Sequence, residues 1–232
     1  VSLELDARDH GNFVHNALQI FWEEYLGGSL PSVEDGQATI EGLLRKEYAS
    51  AGGQPSTRLV RSMPDFIRHD LGWAQRGFRP RYLEKWFQGL TIQTPLGPVA
   101  IRGRIDRIDL NPDGAYVLYD YKTGSAPQIN AMIEGKDVQI AAYLLAAQNI
   151  LPRGRNVGAG YYVIGARSKK GIFHEHYHKA IGVSKGKNVL DEEGFDHQNH
   201  KFVEILRTHV EHILQGKFPI EPASSRICSY CA

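Results

Sequence analysis

Asp106, Asp120 and Lys122 have the side-chain types and the spacing of a hydrolytic magnesium site. Carboxylate oxygens suit Mg²⁺, an ion that keeps some of its waters and takes one or two protein carboxylates together with substrate phosphate oxygens. Such a metal acidifies a bound water and neutralises charge on a transferring phosphoryl group. Lys122 follows Asp120 by two residues, so on a strand the two share a face, about 6–7 Å apart. From there the ammonium can orient an attacking hydroxide or offset charge in the transition state. The same spacing also describes two solvated ion pairs, Asp–Lys and Asp–Arg, on an exposed sheet face. Gln139 and Tyr143 stand at i and i+4 and would share one face of a helix. Taken alone, Tyr143 reads equally well as core and Gln139 as a hydrogen-bonder at a helix start.

The acid pair needs a hairpin of the right register to bring it together. Val99–Leu110 and Ala115–Lys122 alternate with a period of two, and Asn111-Pro112-Asp113-Gly114 between them is a strong turn sequence. Alternation puts Arg102, Arg104 and Asp106 on one face of the first strand, and Leu118, Asp120 and Lys122 on one face of the second. A four-residue loop would set Asp106 opposite Tyr119, the wrong parity. We therefore expect an odd-length connection or a bulge, which sets Asp106 against Asp120. Leu90–Leu96 adds a strand in front and completes an antiparallel meander.

Helical spacing precedes the meander from Asp9 to Tyr25, roughly from Gly36 to Ala49, and from about Thr57 to Phe87, the last bent near Pro64 and around Arg79-Pro80-Arg81. After it, Val138–Gln148 reads as a buried helix with Asp137 as N-cap. Val157–Gly165 and Gly171–Ile181 read as strands, and Phe195–Gln215 as a long helix closed by Gly216. This order predicts one α/β domain over residues 1–232, with a mostly helical lobe at 1–89, a core at 90–216 and an irregular tail at 217–232.

Hydrophobic residues make up 42% and charged residues 23%, which excludes a disordered chain. Lys plus Arg is 27 against 26 for Asp plus Glu, so a whole-surface attraction to nucleic acid or an acidic membrane is excluded, and any such attraction must come from a local patch. No run of about 18 apolar residues exists to cross a membrane. The charged opening Leu5-Asp6-Ala7-Arg8-Asp9 is not a signal peptide, and the only cysteines are Cys228 and Cys231, so a reducing cytoplasm is the expected location. The chain begins at Val1, which suggests a piece of something longer.

Taken together, Gly103-Arg104-Ile105-Asp106-Arg107-Ile108-Asp109, Tyr119-Asp120-Tyr121-Lys122-Thr123-Gly124 and Gln139-Ile140-Ala141-Ala142-Tyr143 resemble the motifs of the PD-(D/E)XK nuclease superfamily. More narrowly they resemble its RecB-like branch, which includes the nuclease domains of RecB and AddB. Those domains carry a histidine on an early helix, a GxxD strand, a D-x-K strand and a Q-x-x-x-Y helix, in that order. Here the segment Gly11 to His15 supplies the histidine, and the likeness runs from about Gly11 to Tyr143, then weakly on to Cys231.

The resemblance implies a restriction-endonuclease-like α/β core, a mixed central sheet flanked by helices, with a helical N-terminal lobe. It implies Mg²⁺ (or Mn²⁺) held by His15, Asp106, Asp120 and the Tyr121 carbonyl, with Lys122 as the catalytic lysine. Gln139 and Tyr143 would border the scissile phosphate. The implied activity is metal-dependent DNA hydrolysis, as the exonuclease module of a helicase–nuclease or recombination-repair protein with helicase domains or subunits as partners. The alternative is a non-catalytic DNA-binding or scaffold module of such a complex. Inactive members usually lose the carboxylates or the lysine, and all three are present here.

AddB-like nucleases hold a [4Fe-4S] cluster on four cysteines, and Cys228 and Cys231 fall where part of the C-terminal group would be. A cluster wants four ligands, so this sequence alone supplies half a set, and the rest would belong to the intact parent protein. A vestigial pair, or zinc with two histidines, are the other readings. His174, His176 and His178 alternate and suggest zinc, but a solvent-facing strand edge accounts for them better. Glu84 lies just ahead of the sheet, where related nucleases sometimes have another acid, but a solvated helix charge is the better account of it. Arg102 and Arg104, beside Asp106, are expected to contact DNA, and Arg107 belongs to the same basic cluster. Trp22, Trp73 and Trp86 could stack on bases, but core packing is the better account of each.

Overall fold

Asp6 starts the first helix with a capping box: its carboxylate accepts from the N–H groups of Arg8 and Asp9, and Asp9 accepts from Asp6 N–H. The computed structural model describes residues 6–218. In α1 (Ala7–Glu24), Val14, Ala17, Leu18 and Phe21 recur at helical spacing and are fully buried. Ser32 and Ser56 cap α2 (Val33–Ser50) and α3 (Thr57–Ala74) by accepting from the N–H groups of Asp35 and Leu59.

The third helix is shorter than its spacing suggested. It ends at Ala74, Gly77 takes a φ of +116°, and Arg79 begins a strand, β1 (Arg79–Thr94). The segment Tyr82–Phe87 is therefore strand and not helix. Its aromatic residues favour a pleated surface, and Pro80 is tolerated because β1 is an edge strand.

β1 pairs antiparallel with β2 (Gly97–Leu110), which pairs antiparallel with β3 (Ala115–Lys122), as the meander required. A crossover through α4 (Ile129–Ile133) and α5 (Gln139–Ile150) leads to β4 (Arg155–Val163), parallel to β3. β5 (Ser168–His174) is antiparallel to β4, and β6 (Val189–Leu190) is parallel to β5. The mixed sheet has six strands in the order β1-β2-β3-β4-β5-β6. α6 (His178–Ile181) precedes β6, and α7 (Glu192–Leu214) closes the described chain, followed by Gly216 at φ +67°. The expected strand Gly171–Ile181 is thus broken: only its first part pairs, and His178 starts α6. Val138, not Asp137, is the N-cap of α5, although Asp137 Oδ1 accepts from Gln139 N–H at 3.1 Å.

Helices cover both sheet faces. Val117, Tyr119, Tyr121 and Tyr162 pack against α1–α3. Tyr116, Leu118, Tyr161 and Ile172 pack against α5 and α7. This is the architecture of a restriction-endonuclease-like fold with helices in front of the sheet.

Candidate active site

The β2–β3 connection decides whether the acids can meet. Leu110 pairs with Tyr116 and Arg107 with Tyr119, so five residues, 111–115, join the strands. Asn111 Oδ1 holds this turn by accepting from the N–H groups of Asp113 (3.1 Å) and Ala115 (2.7 Å). The loop is odd, and one further step along the ladder puts Asp106 opposite Asp120, as expected. Tyr121 N–H donates to Asp106 Oδ2 at 2.8 Å and fixes the carboxylate across the strand pair.

Two groups of side chains assemble here. In the first, His15 Nδ1 lies 3.4 Å from Glu84 Oε1 and 3.5 Å from Asp106 Oδ2. One ligand atom from each of His15, Glu84 and Asp106 falls within 4.8 Å of the others, and among the described residues this trio is the cluster with metal-ligand geometry. In the second, Lys122 Nζ lies 2.7 Å from Asp120 Oδ2, and Gln139 Nε2 donates to Asp120 Oδ1 at 2.5 Å. Lys122 Nζ also donates to Gln139 Oε1 at 3.3 Å. Tyr143 Oη donates to Asp120 Oδ1 at 3.3 Å and accepts from Gln139 Nε2 at 3.0 Å. Gln139 and Tyr143, one turn apart on α5, thus meet the strand carboxylate together.

Glu84 is the residue the sequence misplaced. It is buried, and the pairs Leu83–Arg107 and Lys85–Ile105 set it opposite Asp106. Its φ is +45°, a left-handed conformation rare outside glycine, which costs about 1–3 kcal/mol in a side-chain-bearing residue. The signal for it was obscured because the segment around it read as helix. Arg104, directly across from Trp86, puts its Nε 2.7 Å from Glu84 Oε2. Arg102 is exposed and Arg104 partly so, whereas Arg107 is fully buried and cannot meet a ligand.

Burial and crowding make the acids hard to ionise. Desolvation, then the charge of Asp120, pushes the Asp106 carboxyl up to about 7, against the pull of His15. Burial also raises Asp120, opposed chiefly by Lys122. Burial alone would lower the His15 imidazole, but its hydrogen bond with Glu84 and the Asp106 charge outweigh burial and raise it. The Arg104–Glu84 and Lys122–Asp120 contacts are ion pairs without hydrogen-bond angles, so Glu84 Oε2 and Asp120 Oδ2 are buried acceptors with no hydrogen bond. A hard divalent cation fits this donor set of carboxylate oxygens and one imidazole.

The sequence model of the PD-(D/E)XK nuclease superfamily matches residues 1–232. The chain belongs to this superfamily. No curated protein matches it in sequence. Asp106, Asp120 and Lys122 lie close together where β2 and β3 run side by side.

His174, His176 and His178 form no second cluster of this kind among the described residues. His174 is buried with Nε2 3.0 Å from Glu192 Oε2, and His176 N–H donates to His174 Nδ1 at 3.2 Å. With His178 on α6, the three do not share a strand face. Cys228 and Cys231, and with them the iron–sulfur expectation, lie outside the described residues. No helix of the described chain is long and apolar enough to cross a membrane.

Proposed function

We propose that this superfamily member is a Mg²⁺-dependent DNA nuclease acting as the exonuclease module of a RecB- or AddB-like helicase–nuclease or recombination-repair protein. The observation that carries the reading is the convergence of His15, Glu84 and Asp106 next to an Asp120–Lys122 pair at one place on the sheet. His15, Glu84, Asp106, Asp120 and the Tyr121 carbonyl would hold Mg²⁺ or Mn²⁺. A divalent cation there would neutralise charge on the scissile phosphate and make an attacking water more acidic.

The remaining work falls to the chain's own groups. Lys122, about a quarter exposed, keeps its ammonium against Asp120 and can swing to a phosphoryl oxygen as charge develops. Gln139 holds both Asp120 and Lys122, so it sets the angle between acid and base. The Tyr143 hydroxyl stays protonated, because burial and the nearby Asp106 and Asp120 charges hold its pKa well above the usual phenol range. It therefore acts as a donor to Asp120. Arg102 and Arg104 would contact the DNA backbone. Helicase domains or subunits would deliver the DNA, and Cys228 and Cys231 would join a [4Fe-4S] cluster in the intact parent.

The test is cleavage of linear DNA with Mg²⁺ or Mn²⁺, comparing the chain with Lys122→Ala and Asp120→Ala. Lys122→Ala should lower turnover by about 10²–10³-fold, the range for losing one group that stabilises transition-state charge. Asp120→Ala should fall at least as far. Equal cleavage by all three proteins would favour the non-catalytic DNA-binding module.

A further inference from the structure

Trp86 is the large aromatic side chain that the fold leaves on the surface beside the acid cluster. It is 61% exposed, while Trp22 is buried in the α1–α3 core. Packing therefore accounts for Trp22 but not for Trp86. Isolated exposed apolar residues are common and need no explanation alone. Trp86 differs in its neighbours. Arg104 is its cross-strand partner, with the guanidinium carbon 5.6 Å from the indole centroid. The same guanidinium pairs with Glu84, which in turn meets His15 and, opposite it on the ladder, Asp106. Glu84 and Trp86 are two residues apart, about 6–7 Å along the strand. That separation is close to the span of one nucleotide in an extended strand.

We propose that Trp86, braced by Arg104, is a stacking platform for an unpaired nucleobase one nucleotide away from the His15–Glu84–Asp106 cluster. The proposal rests on the nuclease reading of that cluster and makes its substrate single-stranded at this position. In a duplex the base faces are already stacked, so an indole on a sheet face finds only edges and phosphates. An unpaired base offers a free face of any sequence. The surroundings suit such a strand: Lys85 and Arg102 are exposed nearby and can meet its phosphates. Glu84 and Trp86, two residues apart on β1, sit opposite Asp106 and Arg104 of β2, so the indole and the acid cluster share one face of the strand pair.

The experiment measures binding by fluorescence anisotropy, in EDTA so that nothing is cleaved, of a fluorescein-labelled oligothymidylate and a labelled hairpin duplex. The full chain is compared with Trp86→Ala and Trp86→Phe. Trp86→Ala should weaken single-strand binding by about 5- to 150-fold, the range for one lost base–aromatic stack, and more than it weakens duplex binding. Trp86→Phe should retain most of the affinity, and the salt dependence should keep its slope because no phosphate contact is removed. Unchanged single-strand affinity in Trp86→Ala, or an equal loss on both DNAs, overturns the platform while leaving the nuclease reading to its own cleavage assay. Failure of the unmodified chain to bind either DNA overturns both.

Discussion

Asp106 carries the sharpest electrostatic consequence of the site. Its carboxyl is held near 7 by burial and by the charge of Asp120, against an ordinary value of 3.8. The folded protein therefore keeps a proton that the unfolded chain gives up between those values. Stability must fall as pH rises through this window when no cation is bound. The raised His15 imidazole acts in the same direction, since its stabilising charge is lost as pH rises through its folded pKa. In metal-free protein the melting temperature should be higher at about pH 5 than at about pH 8, and Asp106→Asn should flatten that difference and stabilise the protein at the higher pH. Calorimetry in EDTA checks this. A melting temperature that rises with pH in the unmodified chain, with no effect of Asp106→Asn, would contradict the proximity of the acids.

The elements stay in register through a buried ionic network behind the site. Arg107 follows Asp106 and points to the opposite face, where Nε lies 2.5 Å from Asp109 Oδ1 and Nη1 2.5 Å from Asp70 Oδ2. Nη1 also donates to the Tyr121 hydroxyl at 3.0 Å, and Trp22 Nε1 donates to Asp70 at 3.0 Å. One guanidinium thus ties α1, α3, β2 and β3 together next to both acids. Arg107→Leu would strip Asp70 and Asp109 of their hydrogen-bonded guanidinium, leaving Lys169 as the nearby buried cation, and should cost about 3–5 kcal/mol in urea denaturation. A loss below about 1 kcal/mol would mean that the network is solvated and holds nothing in place. Legibility in the sequence followed the same division into elements. The meander and its odd connection could be read because period-two alternation and the Asn111–Gly114 turn are local signals, and the Asp106–Asp120 parity follows from them. Glu84 could not be read, because its position depends on a left-handed residue inside β1 and on pairing with β2, neither of which leaves a local pattern. Arg107 looks like a surface arginine in the sequence because its partner Asp70 lies 37 residues away on α3. Trp86 looks like a core residue for the same reason that its segment looks helical: neither the end of α3 nor the pairing of β1 leaves a local pattern.

At the scale of the whole molecule, a formal charge of +1 provides no general attraction for DNA, so any recognition has to be local. The fold gathers its candidate site residues at one place. β1, β2 and β3 bring Glu84, Asp106, Asp120 and Lys122 together, α1 adds His15 from the front, and α5 adds Gln139 and Tyr143 from behind. The histidines of β5 and the loop after it are occupied with Glu192 and with one another, on a different part of the sheet. The central claim is that this convergence is a divalent-cation site. Anomalous diffraction from crystals soaked in Mn²⁺ tests it most directly. The account predicts a peak bonded to His15 Nδ1 and to carboxylate oxygens of Glu84 and Asp106, and its loss in Asp106→Asn. A peak at His174 and His176 instead, or no peak among these residues at saturating Mn²⁺, would contradict it.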